Sequence, residues 1–129
     1  MDHVGIAVRS LDAALKVYAG IGLTPTGTET VPTEGVRVAF LPVGDTHLEL
    51  LEPLAADGVL AKFLATRGEG MHHVAFAVDD ILAAMSRAHS AGLAVVDDAP
   101  RPGARGRKVA FLHPKSTGGV LLELVQNSR

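Results

Sequence analysis

The chain has 129 residues, nearly half of them hydrophobic, which suits one compact domain with a sizeable core and argues against disorder. A net charge of -2 points to neither nucleic acid nor an acidic membrane surface, and the absence of cysteine rules out disulfides, thiolate metal sites and a cysteine nucleophile. No apolar run approaches the roughly 20 residues of a membrane span, and the first residues carry no basic and apolar leader, so the expected compartment is the cytoplasm.

Residues 2 to 9 alternate in the manner of a strand, with Val4, Ile6 and Val8 on one face and His3, Gly5 and Ala7 on the other. The large residues suit a helix-covered core; the small ones leave room beside the histidine. Ser10 is placed to cap a helix carrying Leu11, Ala14, Leu15 and Tyr18, which ends at Gly20 or Gly22. Strands are expected at 23 to 31, 36 to 42 and 47 to 52, with turns at Pro32 to Gly35 and Gly44-Asp45. The stretch from Pro53 to Gly70 reads as a connector, in which Asp57 caps a short helix that packs Val59, Leu60, Phe63 and Leu64 inward.

At Gly70-Met71-His72-His73-Val74-Ala75-Phe76-Ala77-Val78 the chain repeats its own beginning. Met1, His3, Val4, Ala7 and Val8 recur seventy positions on, and the match continues. Ala83-Ala84 answers Ala13-Ala14, Val109-Ala110-Phe111-Leu112 answers Val38-Ala39-Phe40-Leu41, and Leu122-Glu123-Leu124 answers Leu48-Glu49-Leu50. The second half therefore gives a strand at 71 to 78, a helix at about 80 to 91 stopped by Gly92, and strands at 93 to 97, 107 to 113 and 119 to 126. The expected fold is α+β: two tandem β-α-β-β-β modules forming a curved eight-stranded mixed sheet around a cleft, with helices outside. Residues 1 to 129 make one domain, with module one at about 1–53, a connector at 54–69 and module two at about 70–129.

Each module opens with a histidine on an apolar strand and closes with a glutamate on another. Glu123 sits in Val120-Leu121-Leu122-Glu123-Leu124-Val125, and Glu49 in Leu48-Glu49-Leu50-Leu51. A carboxylate buried in such a strand is costly unless its charge is balanced. Any one of these residues alone is more often a satisfied core or edge group. Related by the repeat, His3, Glu49, His73 and Glu123 form a ligand set whose two negative charges balance a divalent ion, and it suits zinc, cobalt, nickel, iron or manganese. His72 should face away from His73, because strand side chains alternate. His47, two residues before Glu49, reads as a group at the rim or behind the ligands.

Between Asp98 and Glu123 the charged residues are all basic: Arg101, Arg105, Arg107, Lys108 and Lys115. Such a run is ordinarily a solvated loop; its functional reading is a docking surface for phosphates, with glycines at 103, 106, 118 and 119 for close backbone approach. There is no phosphate-cradling glycine motif, no nucleophile elbow and no aromatic platform for bases.

Taken with Asp2-His3-Val4-Gly5-Ile6-Ala7, Leu48-Glu49-Leu50-Leu51-Glu52-Pro53, Gly68-Glu69-Gly70-Met71-His72-His73 and Phe111-Leu112-His113-Pro114-Lys115, the chain resembles the vicinal oxygen chelate (glyoxalase-like) superfamily. Within it, the chain closely resembles the methylmalonyl-CoA epimerase family. The resemblance implies a homodimer and one divalent ion per chain (cobalt, zinc, nickel, manganese or magnesium) held by His3, Glu49, His73 and Glu123. It implies an acyl-CoA thioester substrate, epimerised by 1,1-proton transfer through a metal-stabilised enolate. Glu123 is then the expected base on one face and Glu49 the candidate on the other, with Arg107, Lys108 and Lys115 binding substrate. Some members place glutamine at the Glu49 position. One departure concerns a glutamate proposed as base in some epimerases: Val38 stands at its position here. The rival expectations are a lactoylglutathione lyase of the glyoxalase I type, which tends to be acidic where this chain has Lys115, and a non-enzymatic small-molecule-binding protein, which often lacks the four ligands. An extradiol dioxygenase wants only two histidines and one carboxylate.

Overall fold

The computed structural model describes residues 1–127. Its elements are strand β1 (His3–Ala7), helix α1 (Leu11–Ala19), strands β2 (Gly27–Val31), β3 (Val36–Val43) and β4 (Thr46–Pro53), helix α2 (Val59–Arg67), strand β5 (Gly70–Val78), helix α3 (Ile81–Ser90), and strands β6 (Arg101–Pro102), β7 (Lys108–Leu112) and β8 (Leu122–Gln126). The order β-α-β-β-β therefore occurs twice. Two compact units result, one from His3 to His72 and the other from Met1–Asp2 with the chain from His73 onward. The connector helix α2 is part of the first.

In the first unit the strands run in the order β2-β3-β4-β1, antiparallel except for the parallel pair β1–β4. Alternation divides the side chains as the sequence implies. Val8, Leu11, Ala39, Leu41 and Leu50 are buried together, and Ile6, Ala14, Leu15, Tyr18 and Leu48 pack against them, so α1 covers this face. Leu11, Leu41 and Leu50 are wholly buried, each contributing about 1.5–3 kcal/mol of transfer free energy. Ser10 caps α1 by accepting from the Ala13 N–H at 3.2 Å, and the Glu52 carboxylate accepts from the Leu11 N–H at 2.7 Å, tying the helix to the end of β4.

The second unit repeats this plan in the order β5-β8-β7-β6, with β5–β8 as its parallel pair. Helix α3 buries Ile81 and Met85 against Ala110, with Val78, Val95 and Leu124 around them. Asp80 caps α3 through Ala83 N–H, and the Gln126 side chain accepts from the Ile81 N–H at 2.8 Å, as Glu52 does for α1. Gly92, just past the helix, has φ +81°, a conformation that favours glycine.

Several expected boundaries move. Residues 23 to 26 stay outside β2, because Pro25 has no N–H to give a ladder. Asp57 does not cap α2: Gly58 occupies the capping position, and no side chain bonds there. Val59 is 80% exposed rather than inward, because Leu60 and Leu64 take the buried stripe of that helix. The strand expected at 93 to 97 is reduced to a bridge between Val95 and Leu112, and the edge strand forms later, at Arg101–Pro102. There the Asp97 carboxylate takes the Phe111 N–H at 2.9 Å, replacing a ladder bond with a side-chain bond. The start of β8 is Leu122 rather than 119, after glycines 118 and 119, both with positive φ.

Candidate metal centre

In the first unit the register fixes one ligand-bearing face. His3 pairs with His47 and Gly5 with Glu49 across β1–β4, while Phe40 lies opposite Glu49 across β3–β4. His3 and Glu49 are buried, at 2% and 5% exposure. The Glu49 Oε2 lies 3.3 Å from His3 Nδ1 and 2.9 Å from His47 Nε2. The His3 and His47 rings stack with centroids 5.0 Å apart. His47 thus backs the carboxylate with a hydrogen bond and orients it, in the manner of the groups behind metal ligands.

The second unit builds the matching half. Ala75 pairs with Glu123 across β5–β8, and Phe111 lies opposite Glu123 across β7–β8. A small residue and a phenylalanine therefore flank the glutamate in both units. His73 and Glu123 are each 6% exposed, with His73 Nε2 3.6 Å from Glu123 Oε1. The Phe111 ring meets the His73 ring edge-on at 5.7 Å.

These separations fit a bound ion better than they fit hydrogen bonds. Two atoms on one ion at about 2.1 Å stand about 3.0–3.5 Å apart for octahedral or tetrahedral angles, close to 3.3 and 3.6 Å. The imidazole and carboxylate donors are those of zinc, cobalt, nickel and manganese sites. Each unit therefore holds a buried His–carboxylate pair fit for a divalent metal.

Of the other expected groups, His72 does face away from His73. It meets the Phe63 ring edge-on at 4.9 Å, and burial lowers its pKa to about 4. Arg107 is held by Asp2 in a bidentate pair, 2.7 and 2.8 Å, with both side chains nearly buried, so it is not a solvated cation. Lys108 and Lys115 are exposed, and alternation puts Lys108 on the α3 side of β7, away from Glu123. Val38 is buried, on the same face as Glu49, and opposite it on β2 stands Glu29. Sequence reading missed Glu29, whose only signal is the β2–β3 register.

Residues 2–111 match the model of the glyoxalase/bleomycin resistance protein/dioxygenase superfamily. The chain belongs to this superfamily. It is 40% identical to the ethylmalonyl-CoA/methylmalonyl-CoA epimerase of Cereibacter sphaeroides, an alignment covering 98% of this chain and 96% of that protein. It is also 40% identical to the human mitochondrial methylmalonyl-CoA epimerase, over 98% of this chain and 73% of that one. Among solved structures, a variant of the Streptomyces coelicolor methylmalonyl-CoA epimerase in complex with 2-nitronate-propionyl-CoA is 40% identical, with a TM-score of 0.94 over 100% of this chain and 97% of that chain. Within the superfamily the chain groups with the methylmalonyl-CoA epimerase family, and the eight strands and three α-helices among the described residues follow the glyoxalase plan. No helix among the described residues is long and apolar enough to cross a membrane.

Proposed function

We propose that this protein is a metal-dependent epimerase that interconverts (R)- and (S)-methylmalonyl-CoA by 1,1-proton transfer, acting as a cytoplasmic homodimer whose two units work as one domain. The observation that carries this reading is the His–carboxylate pair buried at the same register position of each unit. The epimerases among its relatives support the substrate. His3, Glu49, His73 and Glu123 would hold the ion, so that one pair from each unit completes a four-residue set. When bound, a divalent cation supplies Lewis acidity to the thioester carbonyl and the substrate carboxylate.

Glu123 takes the α-proton on one face of the substrate, and a protonated carboxyl on the other face returns one to the planar intermediate. The first unit offers Glu49 for the opposite face, and His47 keeps that carboxylate aligned. The phenylalanines beside both glutamates keep the proton-transfer region dry, which strengthens every charge interaction in it. Lys108 and Lys115 meet the phosphates of CoA from solvent, while Arg107 acts through its pair with Asp2.

The deciding measurement is deuterium wash-in at the α-carbon of methylmalonyl-CoA, with and without a chelator. Wash-in that stops on chelation and returns on adding metal is the expected result. No wash-in under any metal, with turnover of a glutathione hemithioacetal instead, would replace this reading by the lactoylglutathione lyase one.

A further inference from the structure

The basic run after Asp98 does not act as a unit, because its members lie in different places. Lys108 faces the α3 side, and Arg105 and Lys115 stand exposed in turns. Arg101, on β6, has its Nε 2.9 Å from the Asp97 carboxylate, and its guanidinium lies over the Phe111 ring. Arg107 is placed differently. It is nearly buried, and its Nη1 and Nη2 donate to the two carboxylate oxygens of Asp2 in a two-point pair.

Asp2 is fixed at its main chain as well. Its N–H donates to the Ala75 carbonyl at 2.8 Å, and Ala75 is the register partner of Glu123. Both anchors belong to the second unit, and one peptide bond further on the chain enters the first unit at His3. Asp2 is therefore the residue at which the chain passes from the strand beside Glu123 to the histidine beside Glu49. The internal repeat supplies no second copy of the pair: seventy positions after Asp2 stands His72, and the residue that answers Arg107 is Val36. The pair is thus no by-product of the module plan. Stability alone does not account for it either, because taking two charges out of water offsets much of their attraction. What a fork of two parallel bonds adds is a fixed direction.

We propose that Arg107 is a positioning residue for the metal centre: through Asp2 it sets the place of His3, and so the fit of His3 to the ion that His73 and Glu123 also hold. The inference rests on the four-residue metal set proposed above. A main-chain bond alone lets Asp2 swing about its own backbone dihedrals, and such a swing carries His3 with it. The bidentate pair removes that motion before the ion arrives. Groups that hold metal ligands from behind contribute about tenfold to a hundredfold in metal affinity without touching the ion.

The test is cobalt binding by wild type, Arg107→Gln, Arg107→Lys, Asp2→Asn and the double variant Asp2→Asn/Arg107→Gln, read from the visible absorption of bound cobalt in competition with a chelator. Arg107→Gln should weaken cobalt affinity by about tenfold to a hundredfold and alter the absorption bands, since a displaced His3 changes the geometry at the ion. Arg107→Lys keeps the charge but not the fork, and should recover part of the loss. The double variant should lose no more than the worse single one, because both residues act through one link. Urea midpoints of the metal-free proteins show which variants are folded, and a protein more than half folded shifts the apparent constant by less than about twofold. Unchanged affinity and bands in a folded variant would overturn the proposal and leave the pair a structural tie. Tighter binding would overturn it too, showing that Arg107 keeps Asp2 off the ion. A wild-type protein that binds no cobalt, or binds it equally well after His3→Ala, would overturn the metal set beneath it.

Discussion

Glu123 meets two demands that a substitution can separate. Its place in an apolar strand requires a positive partner, and the proposed chemistry requires it to accept a proton. Glu123→Gln keeps the shape and a coordinating carbonyl oxygen but cannot take the proton. The expected outcome is bound metal by elemental analysis together with a loss of on the order of a hundredfold or more in epimerisation. Normal epimerisation by a metal-loaded Gln variant would leave Glu123 as a ligand only. His72, on the other side of the same strand as His73, makes a pH prediction. Burial lowers its pKa from 6.5 to about 4, so the folded state prefers the neutral ring. The stability this contributes is fully present above pH 6.5 and lost as the pH falls from there toward 4, because the unfolded chain binds the proton first. The loss is at most about 3 kcal/mol, and smaller for the partial exposure of the ring. In metal-free protein, urea midpoints of wild type should drop over this range more steeply than those of His72→Phe. Parallel curves would refute the assignment.

At the scale of elements, the short strand β6 is the most sensitive join in the second unit. A Cβ at Gly103 would stand 2.7 Å from Cγ1 of Val109, the residue opposite Arg101. Gly103→Ala should therefore cost about 1–3 kcal/mol, read from denaturant midpoints, and should loosen the setting of Arg101. An Ala variant as stable as wild type would show that Val109 gives way freely. This strand was also the least legible part of the sequence. The internal repeat placed His3, Glu49, His73 and Glu123 on equivalent strands, because apolar alternation and helix caps such as Ser10 and Asp80 are local signals. A two-residue strand has no period to detect, and the Asp97 bond that replaces part of the ladder is a tertiary event. Similarly, nothing local in Arg107 announces Asp2, more than a hundred residues away. Even the departure at Val38 was visible in the sequence while its neighbour Glu29 was not, since only strand register brings the two together.

For the whole molecule, metal and stability should be linked. A ligand that binds only the folded state adds about 2.7 kcal/mol at a hundred times its dissociation constant. Chelation should thus lower the melting temperature, and restoring cobalt or zinc should raise it again; a melting temperature indifferent to chelator would count against a resident ion. The parallel pairs have a further consequence during synthesis. His3 leaves the ribosome long before His47, its partner in the ladder, so β1 waits unpaired until β4 has been made. Once β4 emerges, the ladder β2-β3-β4-β1 can close from residues already translated. The nascent protein would then meet the cell's free ions with one imidazole–carboxylate pair in place before the residues of its counterpart, His73 and Glu123, have both emerged. A two-ligand grip lets ions exchange, so the choice of metal would be deferred until the second pair has formed.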